Sequence, residues 1–424
     1  MEAGVSTYAR GEEALARRQK GWKGILPFLG PAFIASVAYI DPGNYATNIA
    51  AGTQYGYRLL WVVLAANLMA VLIQSLSMKL GLVTGKDLAE LIRDRNSPWV
   101  GWILWVQGEI VVIFTDLAEF LGGTLGIHLL FGLDLLTSAI IATAIAFLLL
   151  EFQRLGVRPL EAVITLLVFV VTFAFVVEMF LSHFHVKEAL AGMLIPSFPG
   201  PDAPFLAAGI LGATVIPHAI YLHSALTKRR IVGETEEEKN HIYKKYLWDV
   251  GIAMGIAAII NMSMLVVAAA LFAPHGVSPR ELDEAHHWLG VLLGPAAAFL
   301  FALGLTASGL SSSSVGILSG DVIMRGFIHR HIPLYLRRAL STIPPFFIIL
   351  TGRSASEMLL ISQVVLSFGI GIALIPLLRY TGSKAIMGSL HNRFITQLLT
   401  YVVAAIVLAL NGYILWMALH GIEV

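Results

Sequence analysis

Apolar runs of about 20 residues follow one another from Ile25 to the end of the chain, and that succession constrains the fold more than any other feature of the sequence. In hydrocarbon no water is available to a backbone N–H or C=O, so each run must satisfy its own polar groups. An α-helix does this within one segment. The runs fall at about 25–52, 58–82, 99–127, 135–152, 159–182, 204–226, 247–273, 290–318, 338–351, 356–378 and 394–420. Only 13% of the 424 residues are charged and 57% are hydrophobic, too little charge to cover soluble cores of that size. An all-α polytopic membrane protein is therefore expected. A net charge of +1 gives no overall case for nucleic-acid binding, and the absence of cysteine excludes disulfides, thiolate metal sites and Fe–S clusters.

The basic residues orient the spans. Counted by alternate connections from the N-terminus, one side holds 24 of the 28 Lys and Arg, and the other holds only Arg58, Lys187, Arg280 and Arg353. Basic residues concentrate in cytoplasmic connections. The expectation is thus eleven spans, N-terminus inside and C-terminus outside, with residues 1–24 a cytoplasmic tail and 25–424 a single transport domain. The polar stretch Lys228–Lys245 is expected to be a solvated cytoplasmic loop or to hold a short helix.

Two spans carry proline at mid-depth. The first contains Ser36-Val-Ala-Tyr-Ile-Asp-Pro-Gly-Asn44, and the sixth contains Gly212-Ala-Thr-Val-Ile-Pro-His218. Proline removes a donor and frees carbonyls that lipid cannot satisfy, so such breaks are tolerated where they line a protein cavity. An offset of five spans reverses the direction of the second broken helix. This predicts a five-plus-five inverted repeat, about 25–182 and 204–378, with an eleventh helix appended and a midplane site between the breaks. Asp41, Asn44 and freed carbonyls such as those of Ala38 and Ala213 are hard oxygen donors suited to a divalent cation.

Other buried polar groups suggest a proton route. Glu109, Asp116 and Glu119 lie on the third span, the last two one turn apart, with Arg337 and Arg338 opening the ninth span as their candidate cations. His218 follows the second break and would pass protons from Asp41 toward the third span. Gln363 is the polar residue of the tenth span expected to face the cavity, His223 is ambiguous, and the serines of the eighth span read as helix packing.

Asp41-Pro-Gly-Asn44, Ala213-Thr-Val-Ile-Pro-His218, Asp116-Leu-Ala-Glu119 and Gly309-Leu-Ser-Ser-Ser together resemble the Nramp family of divalent metal transporters, bacterial branch, over nearly the whole chain. The resemblance implies a leucine-transporter-like fold in a bacterial inner membrane and proton-coupled import of Mn²⁺ and Fe²⁺, with Cd²⁺, Co²⁺ or Zn²⁺ as further cargo. Metal ions, protons and the bilayer would be the partners, with no resident cofactor and no obligatory protein partner. It also implies side-chain metal ligation by Asp41 and Asn44, carbonyl ligation by Ala213 and Ala38 in different states, and approach of Gln363 when the site closes. His218, Asp116, Glu119, Arg337 and Arg338 would form the proton route. One position departs: the family's usual Met before the second proline is Ile216, which has no donor atom. A site of oxygens alone discriminates poorly against Mg²⁺ and Ca²⁺. Widened natural selectivity, a deliberate replacement of the sulfur, and selectivity restored by Gln363 and water all remain open. The rival readings are a broad Mg²⁺/Ca²⁺-permeable carrier and, in another substrate class, a Na⁺-coupled amino-acid symporter. The second is opposed by an Asp where an anionic ligand would sit.

Overall fold

The computed structural model describes residues 24–419 except 155, 156, 229, 232 and 280. The tail expected over 1–24 lies outside the described residues but for Gly24, as does Arg280. Helices occupy all eleven expected stretches. The first is Pro31–Val37 followed by Pro42–Tyr55, and the second to fifth are Leu60–Thr84, Pro98–Phe131, Leu135–Arg154 and Val157–Leu181. The sixth is Ala203–Thr214 followed by Pro217–Thr227, and the seventh and eighth are Glu236–Leu271 and Pro295–Ile328. The ninth is Leu334–Ser341 with Ile343–Thr351, the tenth is Ala355–Gly382 and the eleventh is Phe394–Leu419. Eight stretches are long and apolar enough to cross a membrane by that measure alone, with Pro42–Thr84 taken as one through its 3-10 turn, so the chain is a multi-pass membrane protein.

Three boundaries differ from expectation for local reasons. Lys228–Lys245 is not all loop, because Thr235 caps the seventh helix in a reciprocal box with Glu238 and three acids fill its first turn, starting the helix at Glu236. The eighth span begins later, at Pro295, after Gly294 takes a φ of 97° that ends the separate helix Leu282–Leu293. The ninth is two short helices. In Leu334–Ser341 the usual polarity is inverted: Arg337 and Arg338 are buried while Leu336 and Leu340 face outward. Hydropathy alone hides such a helix.

Small residues set the tightest packing. A Cβ on Gly309 would lie 2.3 Å from the Gly123 nitrogen, and one on Gly126 would lie 2.5 Å from the Thr306 nitrogen, so the third and eighth helices touch backbone to backbone. The eighth-span serines divide between two roles. Ser312 and Ser314 bond back to the Ser308 and Leu310 carbonyls, as packing predicts, but Ser308 itself donates to the Ile40 carbonyl inside the first break. Gly309→Ala is expected to force the two helices apart and lower stability by about 1–3 kcal/mol, seen as a fall in melting temperature in detergent.

Candidate functional site

Each break exposes backbone, and the surrounding helices supply its partners. Asp41 caps the helix that starts at Pro42, its Oδ1 accepting from the Asn44 nitrogen at 3.0 Å. Tyr39, Ile40 and Asp41 lie outside regular helix between the two halves of the first span. The Tyr39 carbonyl accepts from Asn261 of the seventh helix at 3.0 Å. The sixth span breaks at Val215, with Ile216 extended (φ −93°, ψ 120°) before Pro217 restarts the helix.

The two breaks meet through Asn44. Its Nδ2 lies 2.6 Å from Asp41 Oδ1, 2.9 Å from the Ala213 carbonyl and 3.2 Å from the Tyr39 carbonyl. Its Oδ1 accepts from the Thr214 hydroxyl at 3.1 Å. The sequence suggested that the amide oxygen would face this point. The nitrogen does instead, because a carboxylate and two carbonyls converging there need a donor. All these groups are buried. Ala38 closes the first half-helix just before Tyr39. Gln363 enters from the tenth helix with Nε2 at 3.5 Å from Asp41 Oδ2, and its Oε1 has no hydrogen-bond partner. Gly43 makes that approach possible, since a Cβ there would lie 1.9 Å from Gln363 Nε2. Ile216 is buried and contributes only hydrocarbon. Among the described residues no group of three or more His, Cys, Asp or Glu side chains could hold a metal ion.

The proposed proton-route residues are only partly joined. His218 Nδ1 lies 3.2 Å from the Thr115 hydroxyl, linking the second break to the third helix, and its Nε2 has no partner. Asp116 and Glu119 are buried, and none of their four carboxyl oxygens has a hydrogen-bond partner. Both face Gly316, where a Cβ would lie 2.5 Å from Asp116 Oδ1 and 2.6 Å from Glu119 Oε2. Neither acid makes a salt bridge with its expected arginines, although the charge of Arg338 still reaches both. Arg337 makes a bidentate pair with Glu109 at 3.0 and 2.8 Å, lying across Gly320, and Arg338 donates to the hydroxyl and carbonyl of Ser313. A planar guanidinium matches one carboxylate edge-on, which fixes Arg337 on Glu109 one turn or more from the other acids.

Sequence reasoning missed several participants. Asp249 accepts from the Gly30 and Ala32 nitrogens at 3.1 and 2.9 Å, capping the first half-helix from the seventh span. Gln74 joins His223 Nδ1 at 2.8 Å to the Tyr39 hydroxyl at 2.5 Å, which settles His223 as part of a hydrogen-bonded link behind the first break. A polar residue deep in an apolar run was the available signal for Gln74, whereas Asp249 stands at the edge of its run, beside charged residues.

With this geometry in view, the family model described as natural resistance-associated macrophage protein-like, Nramp, matches residues 32–417. The chain belongs to the Nramp family. The divalent metal cation transporter MntH of Bacillus subtilis is 53% identical over 404 residues, 95% of each chain. A crystal structure of the Eremococcus coleocola manganese transporter, bound to an aromatic bis-isothiourea compound, superposes with a TM-score of 0.85 at 29% identity, covering 93% of this chain and 87% of that one. MhsT in complex with L-phenylalanine superposes at 0.62 with 15% identity, over 90% of this chain and 98% of that one, a likeness of fold alone. This Nramp chain thus has the leucine-transporter-like arrangement, with its first and sixth helices interrupted. Arg337 is buried and Glu109 half-buried, with Trp105 Nε1 also donating to Glu109 at 3.0 Å. Arg337→Gln is expected to cost about 1–3 kcal/mol by removing the charged partner of Glu109, and adding Glu109→Gln should recover part of that loss in thermal unfolding.

Proposed function

We propose that this Nramp protein imports divalent transition-metal ions, Mn²⁺ and Fe²⁺ first, across a bacterial inner membrane by alternating access coupled to protons. The convergence of Asp41, Asn44 and the Tyr39 and Ala213 carbonyls at two facing helix breaks carries this reading. Relatives named as divalent metal cation and manganese transporters support the cargo class. In the proposed orientation the N-terminus is cytoplasmic, and the repeats of about 25–182 and 204–378 rock against each other around the site.

A cation entering from outside takes the place now filled by the Asn44 NH₂. The amide turns over so that Oδ1 joins Asp41 and the carbonyls, and Gln363 closes over Asp41 by the 3.5 Å contact. The half-helix ends add partial charges. The proton leaves by His218 toward Thr115 and the Asp116–Glu119 pair, whose four unpartnered oxygens are ready acceptors. Cd²⁺, Co²⁺ and Zn²⁺ are further cargo of the same chemistry. No resident cofactor or obligatory protein partner enters the scheme.

Ile216 favours a second reading, a carrier that also admits Mg²⁺ and Ca²⁺, because its side chain brings no sulfur to the site. Amino-acid symport is disfavoured, since Asp41 stands where a substrate carboxylate would dock. In proteoliposomes Asp41→Ala is expected to abolish Mn²⁺ uptake, and uptake equal to the parent would overturn the site. Ile216→Met is expected to weaken Mg²⁺ competition on the order of tenfold, about 1.4 kcal/mol, in the same assay.

A further inference from the structure

One fully buried acid takes no part in the scheme above. Glu178 lies near the end of the fifth span, and neither of its carboxyl oxygens has a hydrogen-bond partner. Two other orphaned groups sit on the second half of the first span: the Tyr45 hydroxyl and Asn48 Oδ1, both on fully buried side chains. Packing brings these three to one place. The Tyr45 ring meets the Phe175 ring edge-on at 5.0 Å. Its hydroxyl nestles at Gly304, where a Cβ would lie 2.9 Å from the oxygen and 3.7 Å from Ala174.

Glu178 is one turn beyond Ala174 and Phe175, as Asn48 is one turn beyond Tyr45. The first and fifth spans cross in the same direction, so both residues rise to the same height. The seventh helix bridges them. Asn48 Nδ2 donates to Met264 Sδ at 3.9 Å, and the adjacent Ser263 hydroxyl donates at 3.5 Å to the sulfur of Met179, the neighbour of Glu178.

Counted as hydrogen-bonding groups, this cluster lacks a donor. Both Glu178 oxygens and Asn48 Oδ1 accept, against the Tyr45 hydroxyl and the one Asn48 N–H not given to Met264. One proton on Glu178 corrects the count by adding a donor, with which the acid and the Tyr45 hydroxyl, unbonded to each other in the structure, can satisfy one another. It also removes a charge that apolar surroundings would penalise heavily. Packed around this stretch of the fifth span are Tyr45 and Asn48 from the first span, Ser263 and Met264 from the seventh, and Gly304 from the eighth. Phe301, 5.8 Å from the Tyr45 ring, stands between that ring and the imidazole of His286. Among the described residues no cation pairs with Glu178.

We propose that Glu178, framed by Tyr45 and Asn48, is a proton-binding site on the outward side of the first span, loaded from the external solution during transport. This rests on the proton-coupled reading above. In loading, hydronium transfers H⁺ to a Glu178 oxygen, one O–H bond forms as another breaks, and water departs. Release reverses the step. The site is separate from the route by which His218 leads inward.

The test uses the full chain in proteoliposomes, with Mn²⁺ uptake and internal pH followed together. Glu178→Gln is expected to lose both the dependence of uptake on external pH between about 5.5 and about 7.5 and the metal-driven proton influx, whereas Glu178→Asp retains both. Tyr45→Phe is expected to shift the same pH profile. A Glu178→Gln protein with the parent's profile and proton influx overturns this site and leaves proton coupling intact. A parent that admits metal without protons overturns both. Should Glu178→Gln fail to fold, infrared spectra decide: a protonated-carboxyl band that moves in Tyr45→Phe supports the site, and one unmoved by that substitution overturns it.

Discussion

A helix that stops in the middle of a membrane strands its own backbone, and everything around the two breaks answers that one constraint. The carbonyls of Tyr39, Ile40 and Ala213 have no water to turn to. Asn261 reaches Tyr39 from the seventh helix, Ser308 reaches Ile40 from the eighth, and Asn44 crosses to Ala213 on the sixth. The breaks are therefore held by side chains from three different spans. Those same side chains bring oxygen atoms to a common point, so the requirement for backbone satisfaction and the assembly of a cation-sized polar centre have one physical origin.

The close packing of the third and eighth helices serves that centre. Glycines at 123, 126, 309 and 316 let these helices approach at backbone distance, and the approach presses Asp116 and Glu119 against the eighth helix. Larger residues there would hold the acids away from the eighth helix. The inverted helix Leu334–Ser341 extends the same logic at one edge of the bundle, with its arginines turned inward to Glu109 and Ser313 and its leucines turned outward.

Much of this was legible in the chain itself. Length and apolar runs located the helices, because lipid permits few alternatives, and Asp-Pro-Gly-Asn within an apolar run located the first break. Asp41, Asn44 and Ala213 do come together across the two breaks, and Gln363 reaches Asp41 from the tenth helix. What was not legible depended on direction and partner choice. Which end of the Asn44 amide faces Asp41 is decided by carbonyls on other helices, and which acid takes Arg337 is decided by the rotation of a short helix that hydropathy cannot see. Asp249, Gln74 and Ser308 looked like ordinary polar residues in apolar spans until their partners, far off in sequence, were placed. The start of the seventh helix was misjudged because charge was read as loop, although a capping box was present.

The Asn44 side chain carries a further consequence. An amide has nearly the same shape whichever way round it sits, with a donor at one end and an acceptor at the other. Standing among three oxygens, it occupies their convergence with its NH₂, and a half-turn about one bond offers them a fourth oxygen instead. The residue can therefore act as a removable stopper that never leaves its seat. Turning the amide keeps its volume and gives up the bond that the Thr214 hydroxyl donates to Oδ1. A gate of that kind would influence how quickly the site turns over more than how tightly it holds.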